Sequence, residues 1–326
     1  MKAIGLRSEM PSAASDTRAY EYFGAHRVGD KTVFRVQAPL AESVFLVGDF
    51  NGWDESAPMA RVGGAWEISL PNECIRRGDL YKYKIKTGSG ELYKSDPYGS
   101  YFEQAQERAT RFFESSFSWG DQGWREFFAS GRKKIENTYK INRIAWRCKS
   151  DGSPLGYADM AESLISDIKR SGCLFAELSP IMERSFDVTC GYRTAGFFAP
   201  SSVYGTPDGF RTFVDRLHRA GIGVVLDFAF CAFAKDSAGL SRFDGSAMYE
   251  CDEDSCGRGC FNLEKEIPRK YLLDCASFWI AEYHADALRI TDVERTCKSE
   301  SKRKATEQFL LELQARLEKE GATLLR

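Results

Sequence analysis

The chain is 326 residues long, enough for about two domains at roughly 150 residues each. With 43% hydrophobic and 28% charged residues, it is no disordered, collagenous or low-complexity chain. Lysine and arginine total 45 against 47 acidic residues, a net charge of −2, so no basic excess points to nucleic acid or an anionic membrane. Nowhere does an apolar run reach the roughly 18 residues of a membrane span, and the richest stretch, 224–234, is interrupted by Asp227. Residues 1–19 read as an N-terminal tail without a signal-peptide core. The expectation is a cytoplasmic protein whose ten cysteines stay reduced.

From residue 20 to 114 the apolar pattern has period two. Runs of β-branched and aromatic residues at 32–37, 44–47, 66–70 and 80–85 are separated by Gly29-Asp30, Asn51-Gly52, Gly63-Gly64 and Gly78-Asp79. Short strands at this spacing predict an antiparallel β-sandwich of about 100 residues. Residues 115–138 form a connector that Trp119, Trp124, Phe127 and Phe128 should pack down. From 139 to 326 strand and helix patterns alternate, which predicts an α/β domain with a parallel sheet. Strands are expected near 140–146, 174–178, 222–228, 287–293 and the last six residues, with helices near 157–171, 207–220, 267–284 and 300–320. Thr206 and Pro207 supply an N-cap and first helical residue, and Gly221 a stop. Periodicity alone does not separate a doubly wound sheet from a barrel.

Two sets of motifs carry a resemblance. The stretch Leu46-Val47-Gly48-Asp49-Phe50-Asn51-Gly52-Trp53-Asp54, with Tyr83-Lys84-Ile85 and Glu91 to Pro97, resembles the sandwich modules of carbohydrate-binding family 48. The segments Gly191 to Pro200, Tyr204-Gly205-Thr206-Pro207, Ala220 to Asp227 and Phe243-Asp244-Gly245 resemble glycogen branching enzymes of glycoside hydrolase family 13. The likeness implies an immunoglobulin-like sandwich followed by an incomplete (β/α)8 barrel, cut after about five strands. It implies α-glucan, glycogen or starch, as the ligand and no cofactor. It places Trp53, Lys84 and Tyr93 at sugar-contacting positions, where an aromatic ring covers a glucose face and a lysine donates to hydroxyls.

The resemblance also marks what has changed. Members of that family use a retaining mechanism in which one carboxylate forms a glycosyl-enzyme and a second acid protonates the leaving oxygen. Their first barrel motif is Asp followed five residues later by His; here Asp227 is present and the His position is Ala232. Their next motif is Arg-x-Asp with the Asp as nucleophile; here Arg289 is kept and the nucleophile position is Thr291. Asp292 is one residue further, and strand alternation turns it to the opposite face. The family's acid would stand just after the fifth strand, where this sequence stops. Tyr192, Asp227 and Arg289 remain as a partial sugar-facing pocket, with Asp227 and Arg289 expected to form an ion pair at neighbouring strand ends.

These readings predict a glucan-binding relative that has lost catalysis. Two alternatives stay open: an active 1,4-α-glucan transferase or glycosidase fragment, and an interaction protein that pairs or self-associates through the open barrel edge. Cys251, Cys256 and Cys260 cluster, but their spacing is not CxxC and no metal is expected there.

Overall fold

The computed structural model describes residues 18–131, 135–141, 148–185, 193–251, 259–291, 293 and 299–326. The chain divides into two compact units. The first is Met1–Glu114 with Glu183–Ala199 and Ala232–Cys275, and the second is Ser115–Met182, Pro200–Cys231 and Ala276–Arg326. Two segments of the α/β portion, 183–199 and 232–275, therefore group with the N-terminal strands.

In the first unit, alternating apolar residues give β1 (Gly24–Val28), β2 (Lys31–Val36), β3 (Ser43–Gly48), β4 (Ala60–Val62), β5 (Ala65–Pro71), β6 (Leu80–Thr87), β7 (Gly90–Lys94) and β8 (Thr110–Arg111). They build two antiparallel sheets, β1-β2-β5-β4 and β3-β6-β7, with β8 on β6. Phe34 of one sheet meets Tyr81 of the other edge to face at 5.1 Å, both fully buried, so the two sheets share a core. The Tyr81 and Tyr83 hydroxyls donate to Asp96 at 2.8 and 3.0 Å. Burial nevertheless pushes the Asp96 carboxyl up to about 6.

Further along come α1 (Gln122–Ala129), β9 (Thr138–Ile141), α2 (Tyr157–Ser171), β10 (Phe175–Leu178), β11 (Met182–Arg184), β12 (Thr194–Pro200), α3 (Pro207–Arg219), β13 (Gly223–Phe228), β14 (Ala232–Phe233), β15 (Gly259–Cys260), α4 (Glu266–Tyr283), β16 (Ala287–Ile290), α5 (Glu300–Lys319) and β17 (Thr323–Leu325). Strands β11-β12-β14-β15 form a small sheet of their own. The second unit is organised by a five-stranded sheet in the order β9-β10-β13-β16-β17, parallel throughout. That order follows the chain without reversal, whereas a doubly wound sheet has a switch point.

Helix α3 shows why these elements form. Thr206 accepts the Gly209 N–H at 3.1 Å as N-cap, and Pro207 begins the first turn. Its stripe of Phe210, Phe213, Val214 and Leu217 is buried, and Gly221, at φ 79°, turns the chain into β13. Gly223 opens that strand because a Cβ there would collide with the rings of Phe175 and Trp124. The connector does pack: Trp124 of α1 is buried against Phe175, and Trp119 stacks on His284 at 3.7 Å.

A polar cluster closes the N-terminal end of this sheet. His218 is buried, with Nδ1 2.8 Å from Asp121 and Nε2 3.2 Å from Asp286. A neutral imidazole has one N–H, so both contacts are hydrogen bonds only when His218 is protonated. Burial pushes His218 down, but the two carboxylates outweigh it and hold it above its usual value. Asp121 lies well below the carboxylate range, because bonds to His218 and His284 overcome its desolvation. Asp286 also accepts from the Trp124 indole at 2.9 Å and the Val224 N–H at 2.7 Å.

Candidate functional site

The opposite, C-terminal end of the same sheet gathers charge. On β9, alternation sets Thr138 and Lys140 on one face, and Lys140 lies in register with Glu177 of β10. Glu177 accepts from the Thr138 hydroxyl at 2.6 Å and pairs with Lys140 at 3.1 Å and Arg289 at 3.0 Å. On the next pair, Asp227 of β13 is in register with Arg289 of β16. The ion pair expected between those two is not the one formed: the Arg289 guanidinium turns to Glu177, while Lys140 stands 3.8 Å from Asp227. Glu177 offers an already ionised, hydrogen-bonded carboxylate, and a bond to it needs no further desolvation.

Asp227 is left exceptional. It is 1% exposed, and among the described residues neither carboxylate oxygen has a hydrogen-bond partner. Burial pushes its carboxyl up to about 6; Lys140 and Arg289 draw it down, and Glu177 pushes it up. Glu177 goes the other way: burial raises it, but Thr138, Lys140 and Arg289 together bring it below its ordinary value. The Arg289 Nε and the Thr291 hydroxyl, just past β16, are likewise buried without a partner among the described residues. These buried atoms comprise two acceptor oxygens, one guanidinium donor and one hydroxyl, groups of the types that pair with sugar hydroxyls. What stands at 291 is a poor nucleophile, because no base lies within hydrogen-bond reach of its hydroxyl among the described residues. Tyr192 and Asp292 lie outside the described residues.

In the first unit, Lys84 and Tyr93 are cross-strand partners on β6 and β7, and the Lys84 ammonium lies 5.3 Å from the Tyr93 ring. Tyr93 is exposed, at 44%. The ammonium is already engaged by Glu55 at 2.5 Å and Glu91 at 2.7 Å, which hold Lys84 well above the usual lysine range. Trp53 stands elsewhere on the turn after β3 at φ 65°, 38% exposed, its indole donating to Asp49 at 3.1 Å. Sequence reasoning missed Glu177, Glu55 and Glu91. The available signals were an acid inside the buried run Phe175-Ala176-Glu177-Leu178 and the facing charges of Lys86 and Glu91 in register.

Cys251 and Cys260 lie opposite one another, and Cys256 falls outside the described residues. Among those described, no group of three or more His, Cys, Asp or Glu could hold a metal ion. No described helix is long and apolar enough to cross a membrane.

Comparison with known proteins bears on this geometry. Residues 22–99 match carbohydrate-binding module 48, the isoamylase N-terminal domain. The chain is 39% identical over 287 residues to the 1,4-α-glucan branching enzyme GlgB of Fusobacterium nucleatum, covering 85% of this chain and 47% of that one. Against GlgB of Methylococcus capsulatus it is 38% identical over 293 residues, covering 84% and 39%. It thus spans less than half the length of these curated relatives. Among solved structures, the Group B Streptococcus pullulanase SAP in complex with maltotetraose superposes with a TM-score of 0.70 at 16% identity, covering 93% of this chain and 45% of that one. The apo pullulanase of Paenibacillus barengoltzii gives 0.65 at 19%, covering 88% and 50%. These structures share the fold, a β-rich N-terminal domain followed by an α/β domain of the amylase type.

Proposed function

We propose that this chain, a module-48-bearing homologue of the 1,4-α-glucan branching enzymes, binds α-glucan without performing the transfer. The observation that carries the reading is Thr291: where the relatives' motif has its nucleophilic carboxylate, this chain has a buried hydroxyl with no partner among the described residues. Loss of one member of a concerted catalytic set costs on the order of 10⁴ to 10⁶ in rate. Ala232, at the His position, removes a further sugar contact. Asp227 and Arg289 keep the capacity to accept from and donate to sugar hydroxyls. Trp53 and Tyr93 present exposed rings for stacking on glucose faces. The finer architecture belongs to this proposal: an immunoglobulin-like sandwich over 20–114, and five strands of a (β/α)8-type barrel supported by their sequential order. The setting proposed is the cytoplasm, and the glucan is glycogen or starch.

One observation favours a second reading, an active transferase. Asp227 is pushed up to about 6 while Glu177 is held low, and such a split can separate an acid from a base. Against it, Glu177 is consumed by Thr138, Lys140 and Arg289.

Affinity electrophoresis in glycogen-containing gels tests the binding half. The protein should be retarded, and Trp53→Ala should weaken retention by about 1–3 kcal/mol, by analogy with base stacking on aromatics. A folded protein that migrates alike with and without glycogen would remove glucan as the ligand.

A further inference from the structure

The structure assigns a small-molecule site to the cleft between α1 and the end of α3, and the ligand class it fits is a planar aromatic carboxylate. The cleft lies at the opposite end of the sheet from Asp227 and Arg289, so it is independent of the glucan reading. It holds about 380 Å³, within the range of roughly 300–1,000 Å³ for ligand pockets. Its walls are apolar and mostly aromatic. Trp124 and Phe127 stand one turn apart on α1, with ring centroids 5.8 Å apart. Leu174, just before β10, is the third apolar wall and is 40% exposed, so the cleft is reachable from outside. Trp124 does not swing in to fill the space. Its ring packs on Phe175 and Phe128, and its indole donates to Asp286 at 2.9 Å.

Two lining glycines keep the space open: a Cβ at Gly123 or Gly221 would meet nothing within 4 Å. Gly221 is explained by its φ of 79°. Gly123 is the second residue of α1, where a residue with a side chain would serve the helix better. Charge sets the other half of the ligand. The ionisable groups that line the cleft are His218 and Arg219, and no carboxylate lines it among the described residues. Both nitrogens of His218 are occupied by Asp121 and Asp286, so it offers a cationic ring near-parallel to the Trp124 indole, with centroids 5.6 Å apart. The Arg219 side chain is 66% exposed, and its ion pair with Asp215 is long, at 3.8 Å. Asp215 also accepts the Gly120 N–H at 2.5 Å. An exposed i, i+4 pair of this kind is weak, so the guanidinium can turn to an anion at the mouth. There it can hold a carboxylate through two parallel N–H bonds. A flat ring against Trp124, Phe127 and Leu174, with its carboxylate on Arg219, satisfies walls and rim together.

The test is equilibrium dialysis of the full chain against two probes, indole-3-acetate and its uncharged amide, indole-3-acetamide. The acid is expected to bind at one saturable site per chain. The amide should bind about fivefold more weakly, the upper end for an exposed ion pair. Arg219→Gln should bring the acid down to the affinity of the amide and leave the amide unchanged. Gly123→Leu, which puts a side chain into the cleft, should abolish binding of both probes while retention by glycogen stays as in the parent. No saturable binding of the acid by the folded parent would overturn the assignment. So would an amide that binds as tightly as the acid, or a folded Gly123→Leu protein that binds both as the parent does. Arg219 is a surface residue, so the acid–amide comparison in the parent and in Arg219→Gln decides the matter even where Gly123→Leu folds poorly.

Discussion

The two ends of the parallel sheet in the second unit are built from the same residue types and differ in how they are satisfied. At the N-terminal end, Asp121, His218 and Asp286 share their capacity with His284, Trp124 and Val224. At the C-terminal end, Asp227, the Arg289 Nε and Thr291 are buried with polar atoms unmatched among the described residues. Buried polar groups are paired where structure alone is served, and an orphaned one points to a missing partner. Parallel α/β sheets place ligands outside the carboxyl ends of their strands. The saturated end is thus a clasp, and the unsaturated end is where the proposed glucan would bind.

Breaking the clasp should have the largest effect. His218→Ala leaves Asp121 and Asp286 buried without their shared cation, and loss of about 3–5 kcal/mol is expected. Chemical denaturation measures it, and a loss below about 1 kcal/mol would mean that the cluster is relaxed by water.

The clasp should also be pH-sensitive in a defined direction. His218 has a raised folded pKa, so its contribution is complete below the unfolded value of about 6.5 and is lost as pH rises through the higher folded value. Asp121, with a lowered pKa, contributes above about 3.9 and loses that contribution as pH falls through its folded value. His284 opposes His218, because its folded pKa is lowered, chiefly by burial, and Arg125 stands 3.4 Å from its ring. The His218 contribution to stability should therefore fall as pH rises above about 6.5, and His218→Ala should flatten that limb. An unchanged limb in the variant would place the proton elsewhere.

At the other end Asp227 runs in the same direction as His218 and opposite to Asp121. Asp227→Asn removes a carboxylate whose folded pKa is raised to about 6. The native group contributes fully only below its unfolded value, and that contribution is lost as pH rises through about 6. The variant should be as stable as the parent or about 1 kcal/mol more stable near neutral pH. It should also bind glucan more weakly. A variant that unfolds instead would make Asp227 a structural residue.

Local pattern carried the elements, and non-local pairing carried the site. Helix α3 and strand β13 are legible because Phe210, Phe213, Val214 and Leu217 recur at helical spacing and the strand is a continuous apolar run. The connector's aromatics were legible for the same reason. The two-residue strands β14 and β15 show no periodicity at all. Arg289 and Asp227 could be placed on their strands, but the guanidinium's choice of Glu177 depends on which side chains converge, and that lies beyond any window of sequence. His218 escaped notice likewise, since its partners Asp121 and Asp286 are distant in the chain.

The central claim is glucan binding without transfer, and assay of branch formation tests it most directly. Contaminant-free, unmodified protein is incubated with amylose, and new α-1,6 linkages are counted after debranching. None above the blank is expected, because Thr291 supplies no carboxylate to hold a glycosyl intermediate. Reproducible α-1,6 linkages that disappear in Asp227→Asn would contradict the account and establish this chain as a working transferase.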